Sequence, residues 1–223
     1  METEQLLIAL PVLIFSVVVH EYAHGWMARE QGDHTAEALG RLTLNPLPHL
    51  DPVGSFLVPA LFLLLPGGVI LGWAKPVPVV PRNYRNYKKG DILVSVAGVA
   101  ANLVLALVSA ALLALVVVLF RLVPAAEQSW QVLAGMAEFG IFINLILIVF
   151  NLLPIPPLDG SHLFYHLLPA RWGLRYRELA PFGMFALIAL LFIPGAIGWI
   201  LSPALVATLW LRGAALSVAS LFA

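Results

Sequence analysis

Long apolar runs alternate along this chain with short polar breaks rich in proline and glycine. The first run extends from Leu6 to about Met27 and is interrupted from within by His20, Glu21 and His24. A polar stretch from Ala28 to Pro52 follows, closing in the turn-rich Asn45-Pro-Leu-Pro-His-Leu-Asp-Pro52. Val53–Trp73 is apolar again but is cut by Pro59 and by Pro66-Gly67-Gly68. Ile92–Phe120 and Gln131–Leu153 are uninterrupted enough to be membrane-crossing helices, each about the length needed for a ~30 Å hydrocarbon layer. Two further apolar stretches, Pro181–Leu201 and Pro203–Phe222, complete the pattern, with Arg212 inside the second.

Composition agrees with this pattern. Of 223 residues, 61% are hydrophobic and 11% are charged, against roughly 25% charged in an ordinary soluble domain. The pattern predicts an all-α polytopic membrane protein, with the whole chain, 1–223, as one membrane domain. Formal charge is zero, with 12 basic and 12 acidic residues, and no basic stripe points to nucleic acid. Cysteine is absent, so disulfides and thiolate ligands are excluded and any metal is held by nitrogen and oxygen. The N-terminal Met1-Glu-Thr-Glu-Gln5 is acidic, unlike the basic start of a signal peptide, so the run from Leu6 is expected to be retained.

The polar interruption of the first run reads His20-Glu21-Tyr22-Ala23-His24, an HExxH sequence. Residues four apart share a helix face, so both imidazoles can reach one ion, and Glu21 is placed to take a proton from water activated there. Ionisable groups in an apolar span cost about 2.5–3.5 kcal/mol or more each at the bilayer centre, which marks the cluster as functional. The bland alternative is a histidine pair bonded to neighbouring helices. A catalytic zinc takes three protein ligands and keeps one position open, so one more is needed. His49, Asp51, Glu138, Asp159, His162 and His166 are the candidates near apolar segments. Asp159 stands out because Pro154, Pro156 and Pro157 must unwind the chain just before it. Unwound backbone at membrane depth is tolerated only within protein or around a watery cavity. Asp-Gly is also a common turn pair, so a capping or turn role stays open for Asp159 on these grounds.

HExxH on an early span, followed by Asn151, Pro154, Leu158, Asp159 and Gly160 in an NxxPxxxLDG pattern, resembles the site-2 protease family of intramembrane zinc metalloproteases. Residues 40–54 and Gly72-Trp-Ala-Lys-Pro-Val-Pro-Val79 look like its compact bacterial members, and the resemblance covers a catalytic core of about 6–166, with C-terminal helices at about 181–222. It implies Zn2+ held by His20, His24 and Asp159, Glu21 as catalytic base, and a transmembrane helix of another protein as substrate. It also implies a bacterial cell membrane as the setting, with membrane lipid as surroundings. The family's GPxxN is present here only as Gly98-Val-Ala-Ala-Asn102, without the proline. Asn102 and Asn144, polar within apolar spans, are candidates for oxyanion stabilisation or substrate positioning, with interhelical hydrogen bonding as the alternative.

A shared ion would put His20, His24 and Asp159 at one depth. The loops carrying Lys75, Arg82, Arg85, Lys88 and Lys89, and later Arg171, Arg175 and Arg177, are expected on the cytoplasmic side, and the active site with them. Val53–Trp73 is then expected to be re-entrant, beside about five transmembrane helices, with a sixth ordinary span as the alternative. A helical substrate hides its amides and must be unwound; extended pairing with a strand edge is one way to hold it, and Gly72–Pro81 has suitable residue types. A transporter of metal ions or protons built on the same His and carboxylate cluster is the competing reading.

Overall fold

A computed structural model describes residues 3–57 and 74–222. Its elements are α1 (Thr3–Glu30), α2 (Thr35–Ala38), α3 (Tyr87–Leu122), α4 (Glu127–Asn151), α5 (Asp159–Leu167), α6 (Ala170–Glu178), α7 (Gly183–Leu191) and α8 (Ala196–Ser220). No strand occurs among the described residues. Among the described residues, four stretches are long and apolar enough to cross a membrane: Ile8–Glu30, Tyr87–Leu122, Pro124–Asn151 and Ala196–Ser220. The chain is therefore a multi-pass, all-helical membrane protein. Most of the expected re-entrant segment, including the turn at Pro66-Gly67-Gly68, lies outside the described residues; Pro52–Leu57, its start, forms a short π-helical turn.

The two C-terminal apolar stretches, whose exact helix boundaries the sequence leaves open, divide between Leu191 and Ala196. Gly183–Leu191 has nine residues, about 14 Å of helix, too short to cross a ~30 Å layer. Pro203 lies inside the 25-residue α8, and the break falls earlier, between Leu191 and Ala196. The reason is local. Proline at position 203 has no N–H for the carbonyl of Trp199, and the Ser202 hydroxyl donates to that carbonyl instead, at 2.7 Å.

The backbone forms two compact units, Val17–Gly98 and a second made of Met1–Ser16 with Val99–Ala223. In the second unit, α4 packs on α8. Its core holds Ala106, Leu113, Ala137, Ile141, Leu145, Ala204 and Ala215, small residues predominating. Between helices in lipid there is little hydrophobic driving force, and small side chains gain packing by letting backbones approach. Polar groups within these helices are matched to one another. Arg212 Nε donates to Glu138 Oε1 at 2.7 Å, which accounts for the charge inside the last apolar run.

In the first unit, Ala28, Tyr84 and Val94 form a small core beneath Met27 and Val79. Asp33, buried just beyond the end of α1, organises what surrounds it. Its carboxylate accepts from the Thr35 N–H and hydroxyl, from Asn83 Nδ2 at 2.9 Å and from the Val80 N–H at 2.6 Å. Residues 74–80 carry no regular secondary structure. Their amides turn toward the body of the unit: Lys75 donates to the His49 carbonyl at 2.8 Å and Val80 to Asp33. Pro76, Pro78 and Pro81 intervene and have no N–H to leave unsatisfied.

Burial pushes the Asp33 carboxyl up, but the hydrogen bonds from Thr35, Asn83 and Val80 outweigh it and hold its pKa below the ordinary 3.8. The stability this gives is present above pH 3.8 and is lost as pH falls through the lower folded value. Asp33→Ala, which strands buried donors, is expected to destabilise the protein by about 2–4 kcal/mol at neutral pH. Unfolding in detergent at neutral and at strongly acidic pH checks this: the gap between wild type and variant should narrow in acid.

Candidate metal centre and active site

The first unit holds His20, Glu21 and His24 on one stretch of α1. Helical spacing brings the two rings together edge to face, with centroids 4.6 Å apart and Nε2 to Nε2 at 3.0 Å. His20 is buried. The tautomer of His24 follows from its partner. Nδ1 lies 2.7 Å from the carbonyl oxygen of Val94, which can only accept, so the proton sits on Nδ1 and Nε2 presents its lone pair. This is the second contact that metal-bound histidines make to fix ring and tautomer.

The donor set fits zinc. Zn–N bonds of about 2.0–2.1 Å in tetrahedral geometry separate two ligand nitrogens by about 3.3 Å. The observed 3.0 Å needs an opening of only a few tenths of an ångström. Imidazole nitrogen with carboxylate oxygen is a zinc ligand set, and the open fourth position of catalytic sites suits it to hydrolysis.

Glu21 neighbours His20 on the helix, and its Oε2 accepts the backbone N–H of Val77 at 2.7 Å. Val77 is buried, so this bond fixes the carboxylate rather than being shared with bulk water. The Gly72–Pro81 stretch thus meets the candidate base through its backbone, and its described part, 74–80, forms no strand ladder.

Gly98 is the close approach on which the histidines depend. A Cβ there would lie 2.5 Å from His24 Nε2 and 2.6 Å from His20 Cε1, so any side chain would displace both rings. Val94 and Gly98 are one turn apart on α3, and together they make the seat in which the two rings lie.

In the second unit, Asn102 and Asn144 are fully buried and bonded to each other: Asn102 Nδ2 donates to Asn144 Oδ1 at 2.7 Å. Asn144 Nδ2 donates in turn to Ser16 Oγ at 3.0 Å and to the Gly140 carbonyl at 2.8 Å. Ser16 is one turn before His20 in sequence, and Asn102 one turn after Gly98. Asp159 is the first residue of α5, after the break that the three prolines impose. Gly160 allows this: a Cβ there would fall 2.3 Å from the Leu152 carbonyl oxygen, so a larger residue could not start a helix against the end of α4. Of the other ligand candidates, His49 is buried with Nε2 donating to the Thr43 carbonyl at 2.9 Å, and Glu138 pairs with Arg212. His162 and His166 lie on α5.

Sequence reasoning missed Val94 and Val77, which act through backbone atoms and leave no side-chain signature. Gly98 carried a signal in the spacing Gly98–Asn102 but not the reason for it.

Comparison with known proteins bears on the same residues. The profile described as Peptidase family M50 matches residues 8–193. "Putative zinc metalloprotease YwhC" of Bacillus subtilis is 37% identical over 189 residues, covering 82% of this chain and 78% of that protein. "Putative zinc metalloprotease Rip2" of Mycolicibacterium smegmatis is 36% identical over 190 residues, 83% of this chain and 67% of that protein. Its namesake in Mycobacterium tuberculosis (strain ATCC 25618 / H37Rv) is 38% identical over the same length, with the same shares. No solved structure matches the chain significantly.

Gly98→Ala is expected to weaken zinc binding about 10–100-fold, the usual cost of disturbing the shell behind metal ligands. Gly135→Ala is the control, because a Cβ there meets only Ile8, at 3.9 Å. Chelator competition on the purified proteins measures both, and equal affinities would refute the role given to Gly98.

Proposed function

The chain belongs to peptidase family M50 and is a zinc metalloprotease of the membrane, site-2 protease-like, and from that premise we propose that it hydrolyses peptide bonds within or beside transmembrane helices of protein substrates, with Glu21 as general base and zinc on His20, His24 and Asp159. Two imidazoles and a carboxylate are a donor set suited to zinc, and the motif around each is the one the resemblance requires. Family membership favours this reading over a transporter. The observation that carries it is the facing pair of imidazoles on α1, the tautomer of His24 set by Val94, with a carboxylate one residue away.

When bound, zinc supplies a Lewis acid that polarises the scissile carbonyl and brings coordinated water toward neutral pKa. The remaining work falls to the chain. Val77 N–H holds one oxygen of Glu21, which leaves the carboxylate oriented to accept the proton of the attacking water and to return it to the leaving amine. His24 keeps its proton on Nδ1 throughout, so Nε2 stays a ligand. Asn102 and Asn144 act in positioning: their bonds tie α3 and α4 to Ser16 of α1, the helix that bears the histidines. A substrate helix must be locally unwound before its amide is reachable, because its N–H groups are engaged within it. Both units serve one protease domain, 1–223, in the bacterial cell membrane, its active site facing the cytoplasm where the basic loops lie.

Purified protein and a model transmembrane peptide test the chemistry. Glu21→Gln is expected to lower kcat by about 10²–10⁴-fold with zinc retained, and Asp159→Ala to lose zinc. Undiminished cleavage by Glu21→Gln, or full zinc affinity in Asp159→Ala, would overturn the assignment. The sidedness has its own check, since the chain has no cysteine. A single cysteine at Lys88 should be labelled only from the cytoplasmic side of intact cells' membranes, and one at Glu127 only from the outside.

A further inference from the structure

Helix α6, which no part of the proposed chemistry uses, has two faces of opposite character. Toward the rest of its own unit it presents Gly173, Tyr176 and Arg177. Gly173 packs on Tyr165, the Arg177 guanidinium stacks on the Tyr165 ring at 3.8 Å, and Tyr176 meets Phe164 edge to face at 5.4 Å. The Tyr176 hydroxyl also donates to the Pro154 carbonyl at 3.0 Å. The opposite face is exposed and carries Arg171, Trp172, Leu174 and Arg175, with the Arg175 guanidinium 5.6 Å from the Trp172 ring centre.

That outer face combines two features. Trp172 and Leu174 are 59% and 61% exposed, as are large apolar residues to either side, Leu167 at 80% and Phe182 at 63%. Two arginines lie among them, and the apolar α7 follows directly. An exposed helix bearing large apolar groups and cations side by side lies in a membrane interface, rings and leucines toward the acyl chains and guanidiniums at the phosphates. Arginine binds phosphate through a planar, two-pronged donor set, and its charge favours an anionic headgroup over a zwitterionic one.

We propose that the outer face of α6 docks on anionic phospholipid headgroups, through Arg171 and Arg175 with Trp172 and Leu174 as apolar anchors. Docking reaches the interior by a short route. Tyr176 on the inner face holds Pro154, in the unwound segment that delivers Asp159 to the start of α5. A lipid-held α6 therefore steadies residues 152–158, and the importance of that step for catalysis rests on the assignment of Asp159 as a zinc ligand.

The full chain is reconstituted in bilayers of zwitterionic lipid alone or with phosphatidylglycerol. A fluorophore on the single cysteine of Glu178→Cys reports proximity to headgroup-labelled quencher lipid of either class. Anionic quencher should act preferentially in the wild-type background, and the preference should fall about fivefold for each arginine replaced in Arg171→Gln/Arg175→Gln. Arg171→Lys/Arg175→Lys should retain most of it, since the charge remains. Hydrogen exchange across residues 152–158 should be slower in anionic bilayers, a difference that the glutamine variant and Tyr176→Phe each abolish. Equal quenching by both lipid classes, or a preference untouched by the glutamine variant, would overturn the docking. Exchange indifferent to lipid would overturn the steadying of 152–158. Neither readout needs zinc or cleavage, so failure of the protease reading and failure of this one are separable.

Discussion

The bond from His24 Nδ1 to the Val94 carbonyl is the contact on which the candidate metal centre depends. A histidine in an apolar span has two ring nitrogens and one proton, and without a fixed acceptor either nitrogen could carry it. A helix carbonyl as partner removes the choice, because it has nothing to donate. The lone pair of Nε2 is then turned toward His20 Nε2 at 3.0 Å, able to accept a hydrogen bond from that ring or to meet a cation between the two. Gly98, one turn further along α3, is required by the same arrangement: a ring close enough to bond the helix backbone leaves no room for a side chain there. One helix thus supplies the tautomer and the clearance, and the other supplies the two imidazoles.

The same economy governs the polar groups elsewhere in the spans. In lipid no water completes an unsatisfied donor, so each polar group brought in has to arrive with partners. Asn144 uses both amide hydrogens and its carbonyl in the Asn102–Ser16–Gly140 network. Ser202 fills the vacancy made by Pro203, and Thr208 donates to the Ala204 carbonyl at 2.8 Å. Glu138 and Arg212 neutralise one another. A network that is fully matched is rigid, and rigidity in the helices that carry Gly98 and the histidines is what a ligand geometry good to a few tenths of an ångström requires.

Much of this was legible in the residues. Apolar runs of the right length announced the helical membrane class, and HExxH and NxxPxxxLDG announced the metal chemistry, since side-chain identities at fixed helical spacing are what sequence records most directly. The division of the last apolar stretches was not legible. Proline at 203 is the stronger visible breaker, yet its consequence is cancelled by a serine hydroxyl whose direction depends on the helix already being formed. Helix length was equally hidden: Gly183–Leu191 is the more uniformly apolar of the two, yet the backbone makes Ala196–Ser220 the one long enough to span. Val77 and Val94 escaped notice for a different reason. Each contributes a main-chain atom that every residue but proline, or every residue, possesses, so the information lies in position rather than in type.

Position explains the alternating prolines of residues 74–80 as well. A segment laid against a carboxylate inside a membrane protein must offer a donor at one point and otherwise avoid bare N–H groups, whose burial without a partner costs about 1–3 kcal/mol each. Proline at 76 and 78 deletes the donors on either side of Val77, leaving its amide as the one directed at Glu21. Lys75 and Val80 spend theirs on His49 and Asp33, which anchor the segment before and after. Arg41 adds a clamp from its guanidinium to the carbonyls of Lys75 and Pro76 at 3.0 and 3.3 Å. The carboxylate of Glu21 is therefore oriented by a backbone whose freedom has been removed residue by residue. The general-base role proposed for Glu21, which must meet water in one direction within a layer that otherwise excludes it, needs that kind of support, and a side-chain donor on a flexible stem would supply less of it.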